Sequence, residues 1–294
     1  MNLALTVLEI TAPVFLLGLI GYVWVRLGFA YDIPFVTRLT MTVSIPCLIF
    51  VALMQTEIEP AALAGLSMAA FASYAALSLL FLAVLALGRL DLPTYLAPLI
   101  FGNTGNLGLP LALFAFGEEG FGYAVVVFAV MAIGSFTFGI WLVAGRGSLG
   151  RVLREPLVWG TLGGALFLWQ GWQTPRFVTN TLDLVGQMAI PLMLVTLGVA
   201  VARLRPGMLA RASLLSAIKV LACALIAAAA GAAFGLGPVA FAVLVLQIST
   251  PVAVTSYLLA EKYGADAQAV AGLVVASTLM SVVALPLILA IVIA

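Results

Sequence analysis

Histidine is absent from the 294 residues, and with it any His proton relay or His-based catalytic triad. Charge is nearly absent too: charged side chains make up 8% of the chain, against about 25% in soluble domains. The two cysteines, Cys47 and Cys223, lie in apolar runs without a second cysteine nearby, so neither a disulfide framework nor a zinc site is expected. They read as core residues, and no metal or cofactor is called for. A P-loop is missing and the connecting segments are brief, which excludes ATP hydrolysis by this chain. No nucleophile–base pair is visible, so an enzyme is not expected. Acidic runs inside the apolar stretches are lacking as well, which removes a dedicated cation cage. Sodium held by carbonyls and hydroxyls stays open.

Apolar sequence fills the space left by these absences. Hydrophobic residues are 65% of the chain and the mean hydropathy is +1.27, the composition of an all-α integral membrane protein in a lipid bilayer. Apolar runs of about 20 residues place ten spans near 5–27, 34–55, 61–87, 93–116, 120–144, 156–171, 176–201, 208–234, 238–260 and 266–292. The first carries Glu9 and runs past Arg26 with no basic n-region or A-x-A site, so it reads as a span and not a cleaved signal. Arg26, Arg38, Arg89, Arg146, Arg151, Arg154, Arg203, Arg205, Arg211 and Lys262 fall on one side of the ten. Arg176 falls on the other, with Glu57, Glu59, Glu118 and Glu119. The positive-inside rule then puts both termini outside the cytoplasm, in an inner (plasma) membrane. The net charge of +1 gives no indication of a nucleic-acid partner.

Two polar interruptions break this pattern at membrane depth: Gly102-Asn103-Thr104-Gly105-Asn106-Leu107-Gly108-Leu109-Pro110 and Gln247-Ile248-Ser249-Thr250-Pro251. Backbone that leaves the helix there has unsatisfied N–H and C=O groups unless it is buried in protein or lines a watery cavity. The interruptions stand about five spans apart, as do Ser44-Ile45-Pro46 and Ala189-Ile190-Pro191. An odd offset inverts the second half relative to the first, the arrangement of secondary transporters. The expected division is a first five-helix repeat over 1–146, a cytoplasmic linker over 147–154 and an inverted repeat over 155–294.

The inversion makes the two second half-helices begin near the midplane, each N-terminus carrying roughly half a positive charge. A carboxylate suits such a place. Asn103, Thr104 and Asn106 before Pro110, and Ser249, Thr250 and Thr255 around Pro251, supply amide and hydroxyl donors, and Gly, Asn, Ser and Thr there also suit N-caps. Ser44, Pro46 and Pro191 are candidates on the opposing wall. Lys219 lies ~17 Å into its span at 1.5 Å per residue, near the middle of a core about 30 Å thick. A charge at that depth is a functional candidate, as counter-charge for a solute, as a coupling site, or as a partner for polar backbone at the interruptions. Snorkelling to the cytoplasmic side is the alternative. Asp183 and Gln187 share a helix face where they suit an outer vestibule.

These residues together resemble the auxin efflux carrier family in its bacterial branch: Ala12-Pro13 through Gly21-Tyr22, Ile45-Pro46, the run from Gly102 to Leu111, Ile190-Pro191-Leu192 leading to Gly198, Lys219, Thr250-Pro251-Val252-Ala253, and Ala260-Glu261-Lys262-Tyr263-Gly264. The resemblance covers essentially the whole chain. It implies ten transmembrane helices as two inverted five-helix repeats, similar to bile-acid/sodium symporters and sodium–proton antiporters, with helices 4 and 9 broken and crossing. It also implies a secondary carrier of a small organic carboxylate working by elevator-type alternating access, with helices 1, 2, 6 and 7 as a scaffold that forms a homodimer and the other helices as a moving domain. Asn103, seven residues before Pro110, matches the family's crossover asparagine. The chain lacks the long loop between helices 5 and 6, and its third span lacks the acidic residue of the plant members. Auxin specificity and plant-type coupling are therefore not carried over. Two other readings are a sodium-coupled symporter of a bile-acid-like amphipathic anion and a non-transporting anion receptor; proton or sodium coupling, the solute and its direction are open.

Overall fold

The computed structural model describes residues 3–55, 58, 60–144, 156–203 and 209–293. The 147–154 linker, Glu57, Glu59, Arg146, Arg151, Arg154 and Arg205 lie outside the described residues, as do the side chains of Glu261 and Lys262.

The described chain is helical: α1 Leu3–Arg26, α2 Ile33–Leu39, α3 Ile45–Gln55, α4 Pro60–Leu87, α5 Leu92–Ile100, α6 Leu109–Gly134, α7 Ile140–Ala144, α8 Pro156–Gln170, α9 Arg176–Gln187, α10 Ala189–Arg203, α11 Leu209–Ala233, α12 Pro238–Ile248, α13 Val254–Tyr263 and α14 Ala267–Ile293. Wider π-helical turns at Thr40–Ser44, Thr104–Gly108 and Ser135–Gly139 join α2 to α3, lead into α6, and join α6 to α7. Helix starts follow local chemistry. Asp32 Oδ1 accepts from Phe35 N at 3.0 Å, Asp91 Oδ2 from Thr94 N at 2.9 Å and Asp266 Oδ1 from Ala269 N at 2.9 Å, each satisfying an orphan first-turn donor.

Seven helical stretches are long and apolar enough to cross a membrane: Leu8–Arg26, Ile33–Gln55, Ala61–Leu87, Thr104–Val143, Arg176–Arg203, Leu209–Ala233 and Ala267–Ile293. This makes the protein a multi-pass membrane protein. The 40 residues of Thr104–Val143 are twice what one crossing needs, and they break at Gly117, whose φ of 63° only glycine adopts without strain. Gly105 before the break and Phe128 after it are in contact range, so the chain doubles back there.

Packing sorts most of the helices into two groups. In one, α1 lies on α10, and α3 on α8 and α9. The α1–α10 approach is backbone to backbone: a Cβ at Gly198 would strike the Gly18 carbonyl and one at Gly21 the Val195 carbonyl, the small-residue packing usual between membrane helices. In the other group α11 packs on α4, α12 and α14, and α6 on α4 and α12.

Candidate solute site at the crossing of two broken helices

Both interruptions leave the helix, and they meet. Residues 101–103 separate α5 from the turn leading into α6, and residues 249–253 separate α12 from α13. The Asn103 N–H donates to the Pro251 carbonyl at 2.7 Å, and Gly102 and Val252 form an isolated antiparallel bridge. The Val252 N–H donates to Ser277 Oγ of α14 at 3.0 Å. Backbone groups that would be orphaned at this depth are thus satisfied across the crossing. The approach is possible because residue 102 has no side chain: a Cβ there would strike Thr250 Oγ1 and lie 2.9 Å from the Thr250 carbonyl oxygen. A Cβ at Gly108 would likewise strike the Gln247 amide.

The two prolines do different work. Pro110 stands in the first turn of α6, as a proline with no N–H to lose should. Pro251 lies inside the non-helical stretch, ahead of α13, and contributes its carbonyl to the crossing. Side-chain capping, expected from the Asn, Ser and Thr content, is not what forms. Neither Asn103 nor Ala253, the residues preceding the two second halves, makes a side-chain cap hydrogen bond. First-turn N–H groups have no intrahelical acceptor, so both helix starts keep donors and partial positive charge for another partner.

Those starts face one cavity. Asn106, from the first turn after the first interruption, and Val254 and Thr255, from the first turn of α13, line a pocket of about 30 Å³ with Thr37, Thr40, Thr196 and apolar residues including Met41 and Met193. No lining residue is charged. The opposing wall comes from Ile33–Gln55 and Arg176–Arg203. The same two stretches, further along, line an open vestibule of about 1190 Å³ with Gln55, Glu118, Glu119, Asp183, Gln187 and Pro191. Gln187 Nε2 donates to Asp183 Oδ2 at 2.9 Å, which matches their expected shared face. Between Met41 of the pocket and Leu48 of the vestibule, Ser44 and Ile45 are fully buried. Pro46, next to them, is half-buried. Of the pocket residues, Thr196 pairs through Oγ1 with the Tyr31 OH at 2.7 Å, and the Tyr31 carbonyl accepts from Arg203 Nη2 at 2.7 Å.

The candidate residues therefore divide three ways. Asn106 and Thr255 line the uncharged pocket. Asn103 and Thr104 are buried in the crossing itself, with Asn103 Nδ2 and Thr104 Oγ1 lacking a partner. Ser249, Thr250 and Pro251 turn toward a third, small cavity shared with Ser216, Lys219, Ser277 and Ser281. Lys219 does not snorkel: it is 2% exposed, and its Nζ donates to the Leu99 carbonyl in the last turn of α5 at 3.0 Å, with Cys223 Sγ at 3.8 Å. Of the roles read for it, the geometry supplies the partner of polar backbone. Sequence reading missed Thr37, Thr40 and Thr196, although the hydroxyls of Thr37 and Thr40, three residues apart in an apolar helix, are a signal in themselves, and it placed Gln247 in the second interruption without giving it a role; the side chain is fully buried against Gly108. Among the described residues no group of three His, Cys, Asp or Glu side chains could hold a metal.

A family model described as membrane transport protein matches residues 6–153 and 142–289. The chain belongs to that family. The resemblance to the auxin efflux carriers read from its motifs is thus met at the level of family. Two archaeal relatives carry the name uncharacterized transporter. One, from Methanothermobacter thermautotrophicus, is 30% identical over 192 residues, 63% of each chain. The other, from Methanocaldococcus jannaschii, is 31% identical over 114 residues, 34% of this chain and 36% of the relative. The matched stretches are less than two thirds of either relative.

Proposed function

We propose that the protein is a secondary transporter of a small organic carboxylate anion, held where the two broken helices cross and moved by elevator-type alternating access. One observation carries the reading: two second half-helices, both without side-chain caps, direct their first turns at a single uncharged pocket containing an amide and four hydroxyls. Two partial positive charges and neutral donors suit one carboxylate group without a formal cation. Asn106 and Thr255 are the first contacts, with Thr37, Thr40 and Thr196 opposite. The unpartnered amide of Asn103 and hydroxyl of Thr104 lie one turn or less behind.

The path runs between the two cavities along the shared wall. The group built on α1, α3, α8, α9 and α10 is the scaffold and the site of homodimer contact; the group around α4, α6, α11, α12 and α14 carries the crossing past it. In this reading the chain has ten spans as inverted repeats over 1–146 and 155–294, with both termini outside the cytoplasm of the inner membrane and Asp183 and Gln187 in the outer vestibule.

The test is binding and uptake together. Purified protein should bind one or more of a panel of small mono- and dicarboxylates, oxoacids and indole acids. Liposomes containing it should accumulate the same compound, and Asn106→Ala should lose both. Binding without accumulation would make the protein an anion receptor, and uptake confined to bile-acid-like amphipaths would favour a symporter of larger anions.

A further inference from the structure

The crossing has a second face. The N-terminal ends of the second half-helices point at the solute pocket, whereas the C-terminal end of α5, with its unpaired carbonyls and partial negative charge, points the other way. In transporters with broken helices such C-terminal ends and unwound carbonyls are where a coupling sodium ion or proton sits. Here Lys219 Nζ occupies that place, 3.0 Å from the Leu99 carbonyl oxygen. Around it is a small cavity of about 10 Å³ whose lining includes five hydroxyl side chains: Ser216, Ser249, Thr250, Ser277 and Ser281. Two of these, Ser216 Oγ and Ser249 Oγ, are 1% and 2% exposed as residues and have no hydrogen-bond partner. None of the lining residues is acidic. A backbone carbonyl at a helix C-terminus with neighbouring hydroxyl oxygens is the ligand chemistry of a hard monovalent cation, and the space such an ion would need is taken by a tethered ammonium.

We infer that Lys219 is a built-in cation: its ammonium stands where a coupling sodium would otherwise bind, so the crossing is complete without sodium. This rests on the transport reading for its meaning, but its first test does not need transport. Thermal unfolding of the purified full chain should be the same in sodium, potassium and choline chloride. Lys219→Ala, which leaves the carbonyl and hydroxyls facing a hole, should unfold several degrees lower in choline and recover at least half of that loss in sodium or methylammonium. Sodium stabilisation of the unaltered protein would overturn the inference, as would a Lys219→Ala protein equal to it in choline, or one rescued by none of these cations. If the alanine variant cannot be purified, Lys219→Gln reaches the same carbonyl without charge. It should unfold below the unaltered protein, and equal stability would overturn the inference. In liposomes, uptake rates should agree within a factor of two between sodium and choline, and a sodium requirement would overturn the inference while leaving the transport reading in place. Absence of uptake of any anion would instead remove the transport reading and leave the unfolding result to decide the role of Lys219.

Discussion

The two broken helices meet at one point, yet they close their first halves by different means. At the end of α12 the chain serves itself: Thr250 Oγ1 donates to the Gln247 carbonyl at 2.7 Å, and the Thr250 N–H reaches the same oxygen at 3.3 Å. At the end of α5 the help is imported, from Lys219 on a helix more than a hundred residues away. A local cap forms as soon as its own turn forms, whereas the imported one exists only once α11 has packed beside α5. The difference teaches that closing the end of α5 depends on tertiary assembly and closing the end of α12 does not. It also separates two sets of polar groups that the sequence runs together, since the uncapped helix starts line the uncharged pocket and the ammonium lines a different cavity.

The comparison can be broken most severely at the contact itself. Gly102→Ala puts a methyl group onto Thr250, including its backbone carbonyl, which cannot swing aside. Overpacking of this kind costs about 1–3 kcal/mol, and displacement of Asn103 from Pro251 adds an orphaned N–H to that. The expected result is a clear fall in unfolding temperature in detergent together with loss of uptake. Lys219→Met comes next. It leaves the Leu99 carbonyl without its donor, about 1–3 kcal/mol for a buried acceptor, while the affinity of the folded protein for its anion stays within a factor of two, measured by calorimetry. Asn106→Ala should do the reverse: affinity drops about tenfold, in line with ~1.5–3 kcal/mol for a hydrogen bond to a charged group, and the unfolding temperature is unchanged. If both variants lowered affinity equally, the two faces of the crossing would not be distinct. Asn103→Ala is an intermediate case. Its amide nitrogen is buried without a partner, so truncation removes a desolvated donor and should not destabilise the protein; a fall in affinity would mark that amide as a solute contact.

Much of this was legible in the residues. Asn103, Pro110, Thr250 and Pro251 announced broken helices because polar backbone-breaking sequence is out of place in an apolar run, and Lys219 stood out as a lone charge inside an apolar run, where the structure buries it. What could not be read was direction. Helices such as α4 and α14 carry no charged side chain and are largely apolar all round, so periodicity does not say which face turns inward. Nor does sequence give the path of the backbone through a break, so Asn106 and Thr255 could not be separated in advance from Ser249 and Thr250, which line a different cavity. The wall formed by Thr37, Thr40 and Thr196 needs two spans brought side by side. Gly102 and Gly108 read as turn formers, and only the packed structure shows that each is small because Thr250 or Gln247 occupies the space.

The smallest expected effect tests the self-capped end. Thr250→Val keeps the shape of the side chain and removes only the hydroxyl, so the crossing at Gly102 should keep its packing. What is lost is the 2.7 Å bond to the Gln247 carbonyl, a neutral hydrogen bond of about 1 kcal/mol. The carbonyl is not left bare, because the Thr250 N–H still approaches it. The fall in unfolding temperature should therefore be smaller than for Lys219→Met, whose acceptor has no second donor among the described hydrogen bonds. Anion affinity should not change, since Thr250 lines the cavity of Lys219 and not the solute pocket. A Thr250→Val protein as unstable as Lys219→Met would mean that both ends rely on side-chain donors to the same extent, and the asymmetry between the two broken helices would then lie in sequence alone.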